Sequence, residues 1–150
     1  MSEFKPIGGT PFITDEPPGG MGLRLFGDNT GHVHGKLAID ASKQGPPGYA
    51  HGGSLTALLD ETMGAAAWSL GYRCVAANLQ FNLRQSVPLG VEVTVTGEVA
   101  RVDGRKVFTT GQIVLGDGTI AVEAEGLFII PQEHAVHHYD FNPFVANSDD

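Results

Sequence analysis

Cysteine and basic residues are scarce in this sequence. Cys74 is the one cysteine among 150 residues, which excludes an intrachain disulfide and a multi-cysteine metal site and is compatible with a reducing compartment. Nine Lys and Arg stand against 17 Asp and Glu, for a net charge of −8, and no basic stripe is present. Nucleic acid is therefore not an expected partner.

Long hydrophobic runs are also missing. No stretch of roughly 18 apolar residues occurs, and the first residues, MSEFKPIGGTPF, have neither the basic nor the apolar region of a secretory leader. These features predict a soluble protein without a membrane partner, located in the cytoplasm. A chain of 150 residues predicts one domain with its own core.

One long helix dominates the pattern that is present. From Leu55 onward, larger residues recur at the i, i+3, i+4, i+7 spacing of an amphipathic helix. Ser54 is a suitable N-cap, and Gly71 suits the left-handed position that follows a helix. The only charged residues of this helix are Asp60 and Glu61, so we expect at least one carboxylate in a poorly solvated place.

Alternating apolar and polar residues predict six strands around this helix. Two precede it, and four follow as consecutive hairpin-linked strands, with Asp-Gly turns at 103–104 and 117–118. The order predicts an α+β fold with an antiparallel sheet curled around the helix. We expect residues 1–20 to form a flexible N-terminal segment, residues 21–131 the domain and residues 132–150 a loosely held tail. The predicted strands are 23–26, 33–41, 75–84, 91–102, 106–115 and 120–130.

Several motifs are similar to those of one enzyme family. The chain resembles the hotdog-fold acyl-CoA thioesterase superfamily, and within it the PaaI-type enzymes that share an HGG…D motif, in the segments PGYAHGGSLTALLDETMGAAA, NLQFNLRQSVPLG, VDGRKVF and VEAEGLFII. The resemblance implies a long central helix wrapped by a curved antiparallel sheet of about six strands. It implies a homodimer or a dimer of dimers with sites at the dimer interface, and an acyl-CoA substrate. It implies no metal and no cofactor, since CoA is part of the substrate.

His51, Gly52 and Gly53 stand at the predicted start of the helix. Glycines there leave backbone N–H groups bare and let a ligand approach closely, and the helix dipole adds partial positive charge. Such amides can stabilise a carbonyl oxygen on which negative charge develops. The alternative is that both glycines serve only a tight turn. In the family the matching histidine lies beside the site and positions the loop or the substrate; otherwise it bonds to loop carbonyls.

Asp60 follows Gly53 by seven residues, about 10 Å along a helix at 1.5 Å per residue. One thioester carbon cannot approach both groups of a single chain, so a site that uses both needs the turn of one chain and the carboxylate of another. The resemblance implies that Asp60 is the general base or the nucleophile. Glu61, about 100° further round the helix, is the rival, and its alternative role is a solvated or ion-paired carboxylate.

The strand after the helix departs from the family pattern. Relatives often carry Thr or Ser early in this strand to hold the substrate or water, where this chain has Ala76. Asn78 and Gln80, on the same face of the predicted strand, are candidates to replace that hydroxyl and bind the substrate.

The turn at Gly104, Arg105 and Lys106 is the expected contact for the CoA phosphates. An acidic protein needs local cations to bind them, and the matching hairpin borders the CoA channel in relatives. Arg84 and Arg101 are weaker candidates, and surface charge is the alternative role for each.

Other motifs do not support a different chemistry. No G-x-S-x-G accompanies the HGG, as a lipase would require, and the tail histidines His134, His137 and His138 lack carboxylates at a metal-binding spacing. Cys74 is predicted to be a core residue. The sequence thus predicts an acyl-CoA thioesterase that releases a free acid and CoA. A non-catalytic hotdog protein that binds acyl-CoA, favoured by Ala76, and a hotdog dehydratase are the alternatives.

Overall fold

One long helix lies against a single antiparallel sheet of seven strands. The structure, a computed structural model, describes residues 3–132 and Phe144. The predicted α+β architecture, a long helix wrapped by an antiparallel sheet, is confirmed, with seven strands instead of about six. The elements are β1 (Lys5–Ile7), α1 (Pro11–Thr14), β2 (Leu25–Gly27), β3 (His32–Ala38), a 3-10 turn (Ala41–Lys43), α2 (Gly52–Ser69), β4 (Val75–Leu83), β5 (Glu92–Asp103), β6 (Lys106–Leu115) and β7 (Ile120–Ile129).

The core lies between α2 and the inner face of the sheet. Inward side chains of the strands meet an almost uncharged helix, and their burial is the main source of stability. At Gly97 the helix comes so close that an added Cβ would stand 2.7 Å from the Thr62 carbonyl oxygen, so only glycine fits. Core residues from the two layers include Leu55, Leu58, Leu59, Met63, Val93, Val95, Val107, Ile113 and Phe128, each 3% exposed or less.

The N-terminal segment is packed onto the domain. β1 pairs antiparallel with β2, and α1 places Ile13 in the core, where it is 1% exposed. Part of the segment at residues 1–20, which was expected to be flexible, therefore forms regular structure, namely β1 and α1. The segment has no periodic pattern because each of its elements is only three or four residues long.

The strand order is β1-β2-β3-β5-β6-β7-β4, so β4 pairs with β7 and not with β5. The prediction of four consecutive hairpin-linked strands is therefore wrong for β4. The chain after β4 does not turn back but crosses past the start of α2, where Ala50 N–H donates to the Val87 carbonyl and Gly90 N–H donates to the Ile39 carbonyl. Within residues 3–132, β4 is therefore an edge strand of the sheet, next to α2.

A bulge interrupts β4 near its start. Ala76 lies opposite Phe128, but Asn78 lies opposite Leu127, so Ala77 is the extra residue. Ala76 therefore shares the inner face with Phe128, whereas Asn78 and Gln80 point to the outer face. The prediction that these three residues share one face is wrong, because uniform alternation cannot show a bulge in a run of small residues.

Cys74 is buried, and burial raises the pKa of its thiol to about 12, so it is a core residue with little thiolate, as predicted.

The tail histidines His134, His137 and His138 lie outside the described residues. None of the helices in the described part combines the length and hydrophobicity that a bilayer crossing requires.

Candidate functional site

His51 is the N-cap of α2. Its backbone is extended, with φ −65° and ψ 133°, and its Nδ1 accepts a hydrogen bond from Gly53 N–H at 2.9 Å. The helix therefore begins at Gly52, three residues before Leu55, where an N-cap at Ser54 would start it. An accepting Nδ1 carries no proton, so the neutral imidazole holds its hydrogen on Nε2 and can donate it to a ligand. The bond to the helix start, rather than to loop carbonyls, is the role the structure gives His51.

The two glycines after His51 differ in what their amides do. Gly53 N–H is taken by the imidazole, which corrects the expectation that both amides face a ligand. A Cβ on Gly53 would come within 3.0 Å of His51 Nδ1, so the glycine lets the cap form. Gly52 N–H has no partner among residues 3–132 and Phe144, as expected at the first helical position. Gly52 is thus the amide available to a carbonyl oxygen.

Asp60 is a half-buried carboxylate near the middle of α2. Among the described residues it has neither a hydrogen-bond nor an ion-pair partner, and burial alone raises the pKa of its carboxyl. Helical spacing puts Gly64 on the same face one turn later, and a Cβ there would stand 3.3 Å from the Phe128 ring. Asp60 therefore lies on the side of α2 that faces β7 and the free edge β4.

The Glu61 side chain faces the N-terminal segment of the chain. Its Oε1 accepts the backbone N–H of Thr10 at 2.9 Å. Burial and the nearby charge of Asp60 raise the pKa of Glu61, while hydrogen bonds from Thr10 oppose that rise. The carboxylate is half-buried and bonded to the backbone, so its expected alternative role as a solvated or ion-paired group is replaced by a contact with the N-terminal segment.

β4 supplies apolar side chains next to this side of α2. Leu79, Phe81 and Leu83 alternate on its inner face, and Leu83 is 51% exposed. Leu83 also borders the helix start, since a Cβ on Gly52 would stand 3.2 Å from its Cδ2. These residues were not among the predicted site residues, although the alternation in β4 was the signal that could have found them.

Asn78 and Gln80 lie away from the helix start and Asp60. Both are exposed on the outer face of the sheet, where Gln80 Nε2 is 3.4 Å from Asn78 Oδ1. They border an outer cavity of about 360 Å³, next to another of about 790 Å³ that also contacts Gln80. Neither cavity includes His51, Gly52 or Asp60. Within one chain the structure does not bring Asn78 and Gln80 together with the helix start.

The Gly104–Lys106 turn lies at the opposite end of α2 from His51. Lys106 and Val75 both lie opposite Ile129, which places the turn at the start of β4, whereas Leu83 at its end borders Gly52. An 18-residue helix is about 27 Å long, so one chain does not unite this turn with the HGG segment.

The cations of this turn, Arg105 and Lys106, differ from Arg84 and Arg101 in their contacts. Arg105 and Lys106 are exposed, and neither has an ion-pair partner in the described part of the chain. The weaker candidates are engaged: Arg84 pairs with Glu123 at 3.0 Å, and the Arg101 guanidinium lies 3.7 Å from the centre of the Phe108 ring.

Three functional groups of this arrangement could take part in catalysis. A free amide at a helix start can stabilise an oxyanion, an imidazole N–H beside it can donate to a ligand, and a desolvated carboxylate has the raised pKa that suits a general base. No group of three metal-binding side chains occurs within the described residues.

Comparison with known proteins gives a consistent family. A family model described as "Thioesterase superfamily" matches residues 47–122. Acyl-coenzyme A thioesterase THEM4 of Xenopus laevis is 40% identical over 87 residues, which is 57% of this chain and 39% of that protein. The mouse THEM4 protein is 36% identical over 87 residues and 37% of its own length. The chain thus spans about two fifths of the length of these curated relatives.

Solved structures show the same fold. Protein RHA08564, a thioesterase superfamily protein, is 36% identical with a TM-score of 0.74, over 80% of this chain and 59% of that chain. The E. coli PaaI protein from the phenylacetic acid degradation operon is 19% identical with a TM-score of 0.68, over 75% of this chain and 81% of that one. Because the matched family model covers just over half of the 150 residues and includes His51, Gly52 and Asp60, this hotdog-fold chain belongs to the thioesterase superfamily.

Proposed function

We propose that this protein hydrolyses the thioester bond of an acyl-CoA to a free acid and CoA. The observation that carries the proposal is Asp60, a half-buried carboxylate without a partner among the described residues, on a helix that starts with the free amide of Gly52. Partial burial of a carboxylate without a partner costs stability, and groups of this kind are found at functional sites. The names of the THEM4 relatives, acyl-coenzyme A thioesterases, support this substrate class.

Each group has a defined part in the reaction. Gly52 N–H donates to the thioester carbonyl oxygen and stabilises the negative charge that develops there. Asp60 takes a proton from water, whose oxygen adds to the carbonyl carbon; the C–S bond then breaks and the CoA sulfur receives the proton. In a variant of this scheme Asp60 attacks the carbon itself, and water later hydrolyses the anhydride. His51 Nε2–H is the second donor at the carbonyl.

The site is shared between two chains of a homodimer. Gly52 and Asp60 are eight residues apart on one helix, about 12 Å along its axis, too far for one carbonyl group. The nine-residue edge strand β4 leaves the backbone groups of alternate residues unpaired on the side away from β7, and exposed edges pair readily with another strand. A two-fold axis through paired β4 strands is the arrangement we infer.

Antiparallel pairing of two β4 strands also supplies the missing cations. It sets the Val75 end of the partner beside the Leu83 end of this chain, and the Gly104–Lys106 turn belongs to the Val75 end. Arg105 and Lys106 of one chain then lie on the side of the other chain's HGG segment, where they can bind CoA phosphates. CoA enters as part of the substrate, not as a cofactor. Assembly into a dimer of dimers and a cytoplasmic location remain predictions.

A thiol-release assay tests the function. The purified protein is offered short, long and aromatic acyl-CoAs, and we expect hydrolysis of at least one class. Asp60→Asn keeps the side-chain shape and removes the base, so turnover is expected to fall by about 10² or more. Glu61→Gln keeps an acceptor for Thr10 and is expected to cost much less. Near-normal hydrolysis by folded Asp60→Asn would overturn the assignment of Asp60.

The same assay separates an enzyme from a binding protein. If the wild-type protein binds acyl-CoA by calorimetry but releases no thiol from any class, the non-catalytic alternative replaces the proposal. Ala76 is the residue that favours this alternative, because relatives often carry a hydroxyl at that position.

A further inference from the structure

A partly open strip of α2 runs from Asp60 towards the end of the helix. Gly64 and Trp68 follow Asp60 at intervals of four residues, so the three lie on one face of α2, each about 6 Å further along the axis. All three are half-buried, whereas residues 65–67 are fully buried. The proposed base therefore lies at one end of a strip that the rest of the described chain does not cover completely.

Gly64 and Ala76 leave space between α2 and β4. A Cβ on Gly64 would stand 3.3 Å from the Phe128 ring, and Ala76 lies opposite Phe128 on the neighbouring strand. Gly64 and Ala76 therefore border the same spot from two sides, and neither has a side chain larger than a methyl group. Ala76 is exposed although it lies on the inner face of the sheet. The helix and the edge strand thus leave an apolar gap one turn beyond Asp60.

Trp68 lies at the far end of this gap, two turns beyond Asp60. Its indole Nε1–H donates to the Cys74 carbonyl at 2.9 Å, and the centre of the Phe144 ring lies 5.8 Å from that of the indole. Cys74 immediately precedes β4, so the hydrogen bond links the helix to the beginning of the edge strand. These two contacts fix the indole across the end of the gap.

We propose that this gap binds the acyl chain of the substrate and that Trp68 sets the limit of its length. The inference rests on the proposed function. The distance from Asp60 to Trp68 along the helix axis is about 12 Å. An extended chain advances about 1.2 Å per bond, because a residue with three backbone bonds spans roughly 3.5 Å. A chain of up to about ten carbons therefore fits between a thioester carbon beside Asp60 and the indole.

The side chains that border the gap favour an uncharged acyl group. Gly64, Ala76, Phe128 and Trp68 have no ionisable side chain, and Asp60 at the entrance is itself an acid. A second carboxylate, at the end of a dicarboxylic acyl chain, would lose its hydration beside these apolar groups. Each methylene that enters the gap should tighten binding by about fourfold until the chain meets the indole.

Trp68 is the only tryptophan of the chain, so its fluorescence reports directly on the end of the gap. The probes are thioethers in which an alkyl chain is bonded to the CoA sulfur; they have no carbonyl carbon and bind without turnover. We expect octyl-CoA to shift the emission of the wild-type protein to shorter wavelength, because the chain displaces water from the indole. CoA and ethyl-CoA end before Trp68 and should leave the emission unchanged.

Two variants change the length limit in opposite directions. Trp68→Ala removes the end of the gap, and Gly64→Ala places a methyl group in the gap one turn beyond Asp60. In calorimetry, Trp68→Ala should bind tetradecyl-CoA about tenfold more tightly relative to octyl-CoA than the wild-type protein does. Gly64→Ala should bind octyl-CoA about tenfold less tightly relative to ethyl-CoA. The kcat/KM ratios for the acyl-CoAs of the same lengths should change in the same directions.

Leu70→Ala is the matched control. Leu70 is also a large apolar residue at the end of α2, but it packs away from β4, since a Cβ on Gly31 would stand 3.0 Å from its Cδ1. Leu70→Ala should keep the wild-type ratios of affinity and of kcat/KM. Circular dichroism and thermal melts establish that each variant is folded. The fluorescence measurement uses the wild-type protein, so it tests the inference even if Trp68→Ala does not fold.

Two results would overturn the inference: a Trp68 emission that octyl-CoA leaves unchanged, or a folded Trp68→Ala variant with the same length ratios as Leu70→Ala. Neither measurement needs catalysis. If no acyl-CoA is hydrolysed but the emission shifts and the ratios change as expected, the proposed hydrolysis fails and the acyl-binding gap stands. If acyl-CoAs are hydrolysed while the emission and the ratios stay the same, only the inference about the gap fails.

Discussion

At the level of single residues, the two glycines of the HGG segment have different tasks. Gly53 N–H donates a hydrogen bond to the His51 imidazole, which caps the start of α2, whereas Gly52 keeps a free N–H at the first helical position. A hydrogen-bond cap is worth about 1 kcal/mol of stability. The cap therefore holds the segment in place and leaves the chemistry to the neighbouring amide.

The variant Gly52→Pro tests whether the Gly52 amide takes part in catalysis. Proline is favoured at the first helical position, where its missing N–H has no helical partner, and the extended backbone of His51 suits a residue before proline. Gly52→Pro should fold normally and lower kcat by about 10² to 10³, the effect of removing one oxyanion donor. Gly52→Ala keeps the N–H and controls for added bulk near Leu83. Equal activity of the Pro and Ala variants would exclude the Gly52 amide from catalysis.

The raised pKa of Asp60 predicts a pH-dependent gain in stability for Asp60→Asn. Burial raises the pKa of Asp60 above its unfolded value, so the protonated form favours folding. This contribution is complete below the unfolded pKa of about 3.9 and is lost as the pH rises through the folded value. Asparagine does not ionise, so the difference in melting temperature between Asp60→Asn and the wild-type protein should be more positive at pH 7 than at pH 4.

Asp117→Asn is the matched control for this measurement. Hydrogen bonds from Thr119 lower the pKa of Asp117, so its ionised form favours folding and the contribution is present above the unfolded pKa. The relative stability of this variant should fall as the pH rises. Parallel pH trends of the two variants would contradict the assignment of a desolvated Asp60.

At the level of elements, the unpaired edge of β4 is the feature that predicts assembly. Arg84 N–H donates to the Ala121 carbonyl, and N–H directions alternate along an antiparallel strand. The N–H groups of Leu79, Phe81 and Leu83 therefore point away from β7, towards the free edge. In a monomer they would face water; in a dimer paired through β4 they would bond to the partner.

Amide hydrogen exchange distinguishes these cases. We expect the Leu79 and Phe81 amides to be protected at micromolar protein concentration and to lose protection on dilution, together with a dimer mass by light scattering. The N–H groups of Asn78 and Gln80, which face β7 of the same chain, serve as the control and should stay protected on dilution. Exchange of Leu79 that is fast at every protein concentration, with a monomer mass and full activity, would rule out a β4-paired enzyme.

The elements themselves were predictable to different degrees. Periodicity predicted α2 and the six longer or alternating strands within one to three residues of their ends, because each repeats its pattern several times. It missed β1 and α1, which contain three and four residues and are fixed by pairing with β2, by Ile13 and by the bond to Glu61. The partner of β4 was also missed, since hairpin rules do not apply to the crossing segment at 84–91.

The site residues were also predictable to different degrees. Asp60 was identified because it and Glu61 are the charged residues of an otherwise apolar helix, and the HGG segment because it places glycines at the helix start. The separate tasks of Gly52 and Gly53 depend on which way the His51 ring turns, and the outward direction of Asn78 depends on a one-residue bulge. Both are set by tertiary contacts that no local pattern records.

At the level of the whole molecule, the decisive question is whether one chain contains a complete site. Gly52 and Asp60 lie about 12 Å apart along the helix axis, which favours a site that takes the amide from one chain and the carboxylate from the other. Mixed dimers answer it directly. One chain carries Gly52→Pro and the other Asp60→Asn, and each variant alone is expected to keep about 1% of wild-type turnover or less.

A shared site predicts complementation. In a mixed dimer, the intact amide of the Asp60→Asn chain meets the intact carboxylate of the Gly52→Pro chain, so one of the two sites works and the other lacks both groups. Random reassociation of equal amounts makes about half of the dimers mixed, so activity should return to about a quarter of the wild-type value. A mixture of Asp60→Asn with Asp60→Ala should stay inactive. If the Gly52→Pro and Asp60→Asn mixture also stays inactive while mixed dimers are detected by mass, then each chain builds its own site and the two-chain geometry is wrong.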